Sequence, residues 1–373
     1  MDHQIHILVA PNSMKGSLDA FTFASAVEEA FLGVSSRFVV SKLPVADGGD
    51  FTGEVICRAL GATPIKLWVN DPLGRSVEAG YGVSGKTAVI EMADASGLRL
   101  LQPGEPDPLR ASSYGTGQLI RHALRNGCTE ILLGVGGSAT IDGGAGMLAA
   151  LGFQLTGNEG QVLEGNGNNL QHISKIIKPS GMPHASVKVI CDVNNPLLGT
   201  TGAVAVFGKQ KGVTEKTAGV LENGLTRWCH LLEQESGKTL ANRKGAGAAG
   251  GVALPLITFF DAEIVPGAPF VLNFLNFDEQ LRQADLVITG EGKIDRQTLH
   301  DKAPCAVAKA ASKAGKPVIA IGGSIDPEAS AAFNGIFSFI GKPLELEESM
   351  KNARQLLYEF SVQLARTIDA LSK

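Results

Sequence analysis

The sequence predicts an α/β protein in which a doubly wound parallel sheet is interrupted by an inserted α+β domain. Short apolar runs without alternation, each followed by a glycine-rich segment and a helix, occupy both ends of the chain. Such runs are typical of parallel strands that are covered on both faces. A hairpin pattern occurs only in the middle, and 373 residues exceed what one core usually holds.

The first 60 residues contain two strand-loop-helix units. An apolar run at 5–10 leads through a polar loop into a helix that ends near residue 32, and Lys15 precedes Gly16 and Ser17 at the predicted start of this helix. A second run begins at residue 38, and the turn Asp47-Gly48-Gly49-Asp50 connects it to a helix ending at residue 60. The alternation predicts neighbouring parallel strands with helices between them.

The C-terminal part returns to the same alternation. Apolar runs at 286–289 and 318–321 flank a helix, with Pro304 at its first turn and Gly315 just past its end. Proline and glycine favour these two positions of a helix. We therefore assign residues 1–62 and 280–373 to the doubly wound domain and residues 63–279 to the inserted domain.

The inserted segment contains one misleading motif. Residues 80–87 match the phosphate-binding pattern GxxxxGKT, which functions only where the loop opens a helix. Here β-rich runs at 76–83 and 87–93 flank Ser84-Gly85-Lys86, so the segment predicts a β-hairpin with Lys86 in its turn. We treat the match as a coincidence.

Composition limits the class of protein. A net charge of −4 and a pI near 6.0 argue against broad nucleic-acid binding. The five cysteines form no CxxC pair, no apolar run reaches 18 residues, and the first residues lack the pattern of a secretion signal. We expect a reduced, cytoplasmic protein that binds neither nucleic acid nor membrane. The oligomeric state, including a homo-oligomer, is left open.

The predicted strand ends carry the residue types that phosphoryl transfer requires. That reaction needs cations for the moving phosphate, a carboxylate for Mg²⁺ and a group that orients the attacking hydroxyl. In open parallel sheets, ligands bind at the carboxyl ends of the strands. Four segments follow such ends: Ser13 to Ser17 with Lys15 and Gly16; Asp47 to Asp50; Asp192 with Asn194 and Asn195; and Glu291, Gly292, Lys293, Asp295 and Arg296. Each cluster could also be a solvated turn.

A glycine-rich segment after the predicted strand at 130–133 is ambiguous. Gly134, Gly136 and Ala139 match a dinucleotide fingerprint, but no acid follows the next strand at 153–155 to bind a ribose. We interpret Gly136, Gly137 and Ser138 as a phosphate-binding or substrate-binding loop, with a tight structural turn as the alternative.

Taken together, these loops resemble the bacterial family of ATP-dependent D-glycerate kinases. The segments that carry the resemblance occur in order along nearly the whole chain and include APNSMKGS (10–17), LPVADGGDFT (43–52), IEMADASGL (90–98), GVGGSATIDGGAGML (134–148), CDVNNPLLG (191–199), VFGKQKG (206–212) and DLVITGEGKIDRQTLHDKAP (285–304). The resemblance implies a flavodoxin-like domain interrupted by a restriction-enzyme-like domain. It also implies ATP, Mg²⁺ and phosphorylation of D-glycerate, usually at the 2-hydroxyl. Asn12 departs from the family pattern, which has an acid there.

We hypothesise that the predicted strand-end loops line a cleft between the two domains, and we assign roles within it. The candidate catalytic residues are Lys15, Asp47, Asp192, Lys293 and Asp295, with Asp192 and Asp295 as metal ligands. The candidate nucleotide-binding residues are Ser13, Gly16, Ser17, Gly48, Gly49, Glu291 and Gly292. The candidate substrate-binding residues are Gly136, Gly137, Ser138, Asn194, Asn195 and Arg296. The alternatives are an NAD(P)-dependent hydroxy-acid dehydrogenase and a non-catalytic protein that binds a sugar acid or a nucleotide.

Overall fold

The structure, a computed structural model, describes residues 4–181, 184–299 and 302–372. Its strands are β1 (Ile5–Val9), β2 (Phe38–Lys42), β3 (Thr63–Asn70), β4 (Ser76–Ser84), β5 (Thr87–Glu91), β6 (Glu130–Gly134), β7 (Gln154–Thr156), β8 (Lys175–Ile177), β9 (Ser186–Cys191), β10 (Glu263–Pro266), β11 (Leu286–Ile294), β12 (Val318–Ile325) and β13 (Gly335–Ser338).

The helices are α1 (Ala20–Val34), α2 (Thr52–Leu60), α3 (Met92–Ser96), α4 (Tyr114–Arg125), α5 (Ala145–Ala150), α6 (Ala203–Phe207), α7 (Glu215–Ser236), α8 (Ala253–Phe260), α9 (Gly267–Phe274), α10 (Phe277–Gln283), α11 (Ala303–Lys313), α12 (Leu346–Lys351) and α13 (Ala353–Leu371). Among the described residues, no helix is both long enough and apolar enough to span a bilayer.

The chain divides into two compact units. The smaller unit comprises the residues up to Asp47 and from Gly267 onward, and the larger unit comprises Gly48–Pro266. The boundaries drawn from the sequence, at 62 and 279, lie further along the chain. The difference has a packing reason, because α2 packs on β4, β5 and β6 of the larger unit, whereas α9 packs on α11 of the smaller unit.

The smaller unit has a five-stranded, fully parallel sheet with the order β13-β12-β11-β1-β2. Numbered along the chain within this unit, the order is 2-1-3-4-5, which is that of flavodoxin-like folds. The buried side chains of α1 and α13 cover one face of the sheet, and those of α9, α10 and α11 cover the other. The predicted doubly wound, flavodoxin-like architecture is confirmed.

The larger unit contains a mixed six-stranded sheet with the order β10-β9-β6-β5-β4-β3. The four strands from β10 to β5 are parallel, and β4 and β3 continue the sheet as antiparallel neighbours. The predicted hairpin between β4 and β5 is confirmed, and Lys86 lies in its turn. One large apolar core fills this unit and includes the fully buried Trp228 of α7.

Candidate active site

The topology of the smaller unit brings two of the predicted segments together. Strands β1 and β11 are adjacent, and the connections from them leave on opposite sides, which makes their carboxyl ends the switch point where such sheets bind ligands. The N–H of Asn12 donates to the Gly290 carbonyl (2.8 Å), and the Thr289 hydroxyl donates to the Ala10 carbonyl (2.7 Å). These bonds fix the segment after β1 against β11.

A buried carboxylate anchors this edge. Asp47 is 5% exposed, accepts a hydrogen bond from the Asn12 side-chain amide (3.1 Å) and lies 3.6 Å from the Lys302 ammonium. A buried charge needs such partners, because removing it from water is costly. Lys302 therefore belongs with Asp47 and Asn12 in one charged cluster, although it was not among the residues selected from the sequence.

The second carboxylate of this edge is Glu291. Its Oε1 atom is buried and accepts no hydrogen bond from any of the described residues. Burial raises the pKa of Glu291 to about 7, the Thr298 hydroxyl lowers it in part, and Asp47 raises it further. A carboxylate oxygen without a donor inside a cavity is able to accept a hydroxyl proton or bind a cation.

Lys293 and Asp295 complete the edge. Their side chains form an ion pair at 3.0 Å, and the Asp295 N–H donates to the Thr298 hydroxyl at 3.0 Å. Lys293 is the more exposed partner, with 67% of its side chain accessible against 17% for Asp295. The Lys293 ammonium is thus presented to solvent, while the Asp295 carboxylate is the less exposed member of the pair.

These side chains line a cavity of about 700 Å³ within the smaller unit. One part of its wall is charged or polar and the other is apolar, a combination suited to a ligand with an anionic end and an aromatic end. The charged and polar part consists of Ser13, Lys15, Ser17, Glu291, Lys293, Asp295, Thr298, Lys302, Ser324 and Ser349, and the apolar part consists of Met14, Phe339, Ile340, Leu344, Leu346, Met350 and Ala353.

In the larger unit, the segments after β6 and β9 meet the segment that begins at Gly48. A Cβ on Gly48 would lie 2.7 Å from the Cys191 carbonyl carbon, and one on Gly136 would lie 2.5 Å from the Gly49 carbonyl carbon. Only glycine permits contacts this close. Asp50 approaches the same turn, because a Cβ on Gly137 would lie 2.5 Å from its Oδ1.

The turn at Gly136 to Ser138 exposes hydrogen-bond donors. Gly137 has φ +65°, its carbonyl accepts from the Leu98 N–H (2.9 Å), and the Ala139 N–H donates to the Ser96 carbonyl (2.9 Å). Within the described part of the chain, we find no acceptor for the N–H groups of Gly136 and Gly137. Consecutive N–H groups in such a turn form a concave site for an anion.

Comparison with known proteins identifies the family to which this chain belongs. The sequence model of the glycerate kinase family matches residues 7–369. The chain belongs to the glycerate kinase family.

Its relatives in the glycerate kinase family match it over nearly full length. The protein called glycerate kinase in Halalkalibacterium halodurans is 44% identical, with 98% of each chain covered. The protein called glycerate 2-kinase in Escherichia coli K12 is 39% identical, with 97% of each covered. A crystal structure titled glycerate kinase 2, from Salmonella typhimurium LT2, has a TM-score of 0.85 at 41% identity and covers 99% of both chains.

Membership of the glycerate kinase family makes this chain an enzyme and does not favour either alternative, the dehydrogenase or the non-catalytic binding protein. The family resemblance inferred from the sequence is confirmed.

The structure differs from the expected geometry at Lys15. Lys15 was expected at a helix start, but it lies in an exposed turn that ends at the Met14–Leu18 bridge, before α1 begins at Ala20. The first amides of α1 are capped instead by Asp19, whose side chain accepts from Phe21 and Thr22. Helix α1 therefore offers those two amides to no ligand.

A second difference concerns Glu291, Gly292 and Lys293. They were expected on a glycine-rich loop, but they continue strand β11, and Glu291 and Lys293 pair with Gly322 and Ser324 of β12. The apolar run is only the first half of this strand. Pairing with β12 explains why the polar residues that follow the apolar run remain part of the sheet.

Other predicted residues have partners that differ from their assigned roles. Arg296 forms an ion pair with Glu328 and does not line the cavity. Asn195 donates to the Thr201 carbonyl (2.8 Å), as a turn-forming residue would. Asp192 is half-buried after β9, beside the exposed Asn194. Their assigned roles remain predictions.

Besides Lys302, sequence reasoning missed several other charged residues whose side chains are buried or half-buried. Glu91 accepts a hydrogen bond from the Gly53 N–H at the start of α2, and burial raises its pKa to about 7. Asp142 and Lys211 are buried behind the Gly136 turn. Each lies in a segment that carried the resemblance, but a charged residue gives no sign of its burial in the sequence.

Proposed function

We propose that the enzyme transfers the γ-phosphoryl group of ATP to the 2-hydroxyl of D-glycerate, giving 2-phosphoglycerate and ADP. The observation that carries this proposal is the charged edge at the switch point of the flavodoxin-like sheet, next to an apolar wall. The names glycerate kinase and glycerate 2-kinase of its relatives support the substrate and the position.

In this proposal the nucleotide binds the cavity of the smaller unit. The apolar side chains around Phe339 and Met350 suit the base, and Lys15 and Lys293, in the wall of the same cavity, would contact the phosphates. Two lysines there would offset the negative charge that spreads over the phosphoryl oxygens in the transition state. Ser13, Gly16, Ser17 and Gly292 are proposed to shape the same wall, and Gly48 and Gly49 stay assigned to the nucleotide as predictions.

Mg²⁺ is proposed to be bound with the nucleotide. Among the described residues, no group of three or more histidine, cysteine or acidic side chains is arranged to hold a metal by itself. Mg²⁺ bound to a nucleotide needs only one or two carboxylates besides phosphate oxygens and water. Asp295 and the donor-free Oε1 of Glu291 fit that requirement, and Asp192 is the candidate in the larger unit. When bound, the ion would neutralise phosphate charge.

D-glycerate is proposed to bind the larger unit through its carboxylate. The N–H groups of Gly136 and Gly137 and the Ser138 hydroxyl are suited to an anion of that size. Asp192, or Asp47 in the smaller unit, is proposed to accept the proton of the attacking hydroxyl. Asn194, Asn195 and Arg296 stay assigned to the substrate as predictions.

A coupled ADP-release assay across several hydroxy acids tests this function. We expect ADP formation that requires D-glycerate, ATP and Mg²⁺, with much slower turnover of L-glycerate, glycolate and lactate. Phosphorus NMR of the product should show the phosphate on the second carbon. Absence of ADP formation with D-glycerate would refute the kinase assignment, and a phosphate on the third carbon would refute the regiochemistry.

A further inference from the structure

A fully buried lysine lies behind the Gly136 turn in the larger unit. Lys211 is 2% exposed, and its ammonium donates to the Ser138 hydroxyl oxygen (2.8 Å) and to the Thr140 carbonyl (2.9 Å). Lysine is almost never fully buried without an acidic partner, because desolvation of its charge is costly. Yet Lys211 forms no ion pair with any of the described residues.

The acid that acts on Lys211 is committed elsewhere. Burial lowers the pKa of Lys211 to about 7, and Asp142 raises it in part. The carboxylate of Asp142 accepts hydrogen bonds from the N–H and hydroxyl of Ser113 and from the N–H groups of Gly144 and Gly146. Asp142 therefore organises its own loop and does not neutralise the ammonium directly.

The contact with Lys211 determines the hydrogen-bonding role of the Ser138 hydroxyl. When Lys211 is protonated its ammonium can only donate, so the Ser138 oxygen then accepts and its own proton is directed elsewhere. No described residue accepts that proton. Ser138 is thus held as a donor beside the N–H groups of Gly136 and Gly137, with a buried positive charge behind it.

We propose that Lys211 is a positioning residue, which orients the Ser138 hydroxyl toward the carboxylate of D-glycerate and supplies positive charge behind that anion. The proposal rests on the proposed function, since it takes the Gly136 turn as the carboxylate site. The same donors could hold a nucleotide phosphate, so the test separates the two anions.

Steady-state kinetics of matched variants test this role. We expect Lys211→Met to raise KM for D-glycerate at least about tenfold while KM for ATP stays within about twofold, since one charge-assisted contact is lost. Ser138→Ala should give the same pattern, and the double variant should be no worse than either single variant. Lys209→Met is the control, because Lys209 is exposed on the same short helix, Lys209–Lys211.

Three outcomes would overturn the proposal. They are an unchanged KM for D-glycerate in folded Lys211→Met, a larger change in KM for ATP than for D-glycerate, and additive effects in the double variant. If the wild-type enzyme forms no ADP with D-glycerate, the proposed function fails instead, so the two failures are distinguishable.

A measurement on the wild-type enzyme covers the case in which Lys211→Met does not fold. With lysine labelled with ¹⁵N at Nζ, the buried ammonium should exchange slowly enough to be resolved from exposed lysines. Adding D-glycerate alone should shift this signal, and adding ADP alone should not. A signal that D-glycerate leaves unmoved would contradict the proposal.

Discussion

At Glu291, burial couples the charge of one carboxyl group to the stability of the smaller unit. Burial raises its pKa from 4.5 to about 7, so the folded protein binds a proton that the unfolded chain has released in that range. Stability from this group is present below pH 4.5 and is lost as pH rises through 7. The Glu291 carboxyl group therefore favours its protonated form until a cation or a hydrogen-bond donor binds to it.

This sign predicts how Glu291→Gln behaves. Without ligand, the variant should lose less stability than the wild type between pH 4.5 and 7, by at most about 3 kcal/mol. Chemical denaturation in EDTA at a series of pH values measures the difference. If the free energy of unfolding changed with pH in parallel for the two proteins, the pKa of Glu291 would not be raised in the folded protein.

A second prediction for a single residue concerns Asn12. Asn12→Asp would replace the donor to Asp47, 3.1 Å away, by a second negative charge. We expect ligand-free protein to lose about 1–3 kcal/mol and to recover part of it with Mg²⁺, because paired carboxylates bind a divalent cation. Melting curves with and without Mg²⁺ measure this, with the exposed Asn158→Asp as control. Equal behaviour of the two variants would exclude a carboxylate pair at Asn12 and Asp47.

At the scale of elements, helix α7 supports the loop that follows β6. The buried Trp228 indole donates to the Gly143 carbonyl at 2.8 Å, and Trp228 leaves no room for a side chain on Gly143. The loop between Gly134 and Gly146 therefore depends on a helix that lies far from it in sequence. Nothing in the local sequence pattern indicates this contact.

The two tryptophans provide a matched comparison. Trp228→Phe should destabilise the protein by about 1–3 kcal/mol, because it leaves a buried carbonyl unpaired. Trp68→Phe should change stability by less than about 0.5 kcal/mol, since Trp68 is 70% exposed. Urea denaturation of both variants measures the contrast. Equal stabilities would mean that the Trp228 bond does not support the loop.

The positions of strands and helices were predicted from the sequence more completely than the partners of individual strands and side chains. Apolar runs and helix-end residues located β1, β11, β12 and α11 because those signals are local. The extension of β11 through Lys293 could not be predicted, since it depends on pairing with β12. The partners of Arg296 and Lys302 are equally non-local.

At the scale of the whole molecule, two units with separate cores are proposed to bind different ligands. We predict that a non-hydrolysable ATP analogue with Mg²⁺ slows amide hydrogen exchange at 13–17 and 291–296, and that D-glycerate slows it at 134–140. Exchange measured by mass spectrometry with each ligand alone tests this division. Protection of 134–140 by the nucleotide alone would contradict it.

Fold class and family followed from the sequence because strand-end glycines and charged residues recur in one order along the chain. The unit boundaries at Asp47 and Gly267 were less predictable, because they depend on which sheet α2 and α9 pack against. Which candidate residues act on the ligands is a matter of side-chain direction, and sequence spacing does not encode it.

The most direct test of the proposed chemistry is the turnover number of Lys293→Ala and Asp192→Asn with D-glycerate and MgATP. Both folded variants should lose at least about 100-fold, since each removes a group proposed to act on the transferring phosphate or the attacking hydroxyl. Lys309→Ala and Asp261→Asn, which alter exposed residues of the smaller and larger unit, should keep wild-type turnover. Near-normal turnover in both Lys293→Ala and Asp192→Asn would contradict the account.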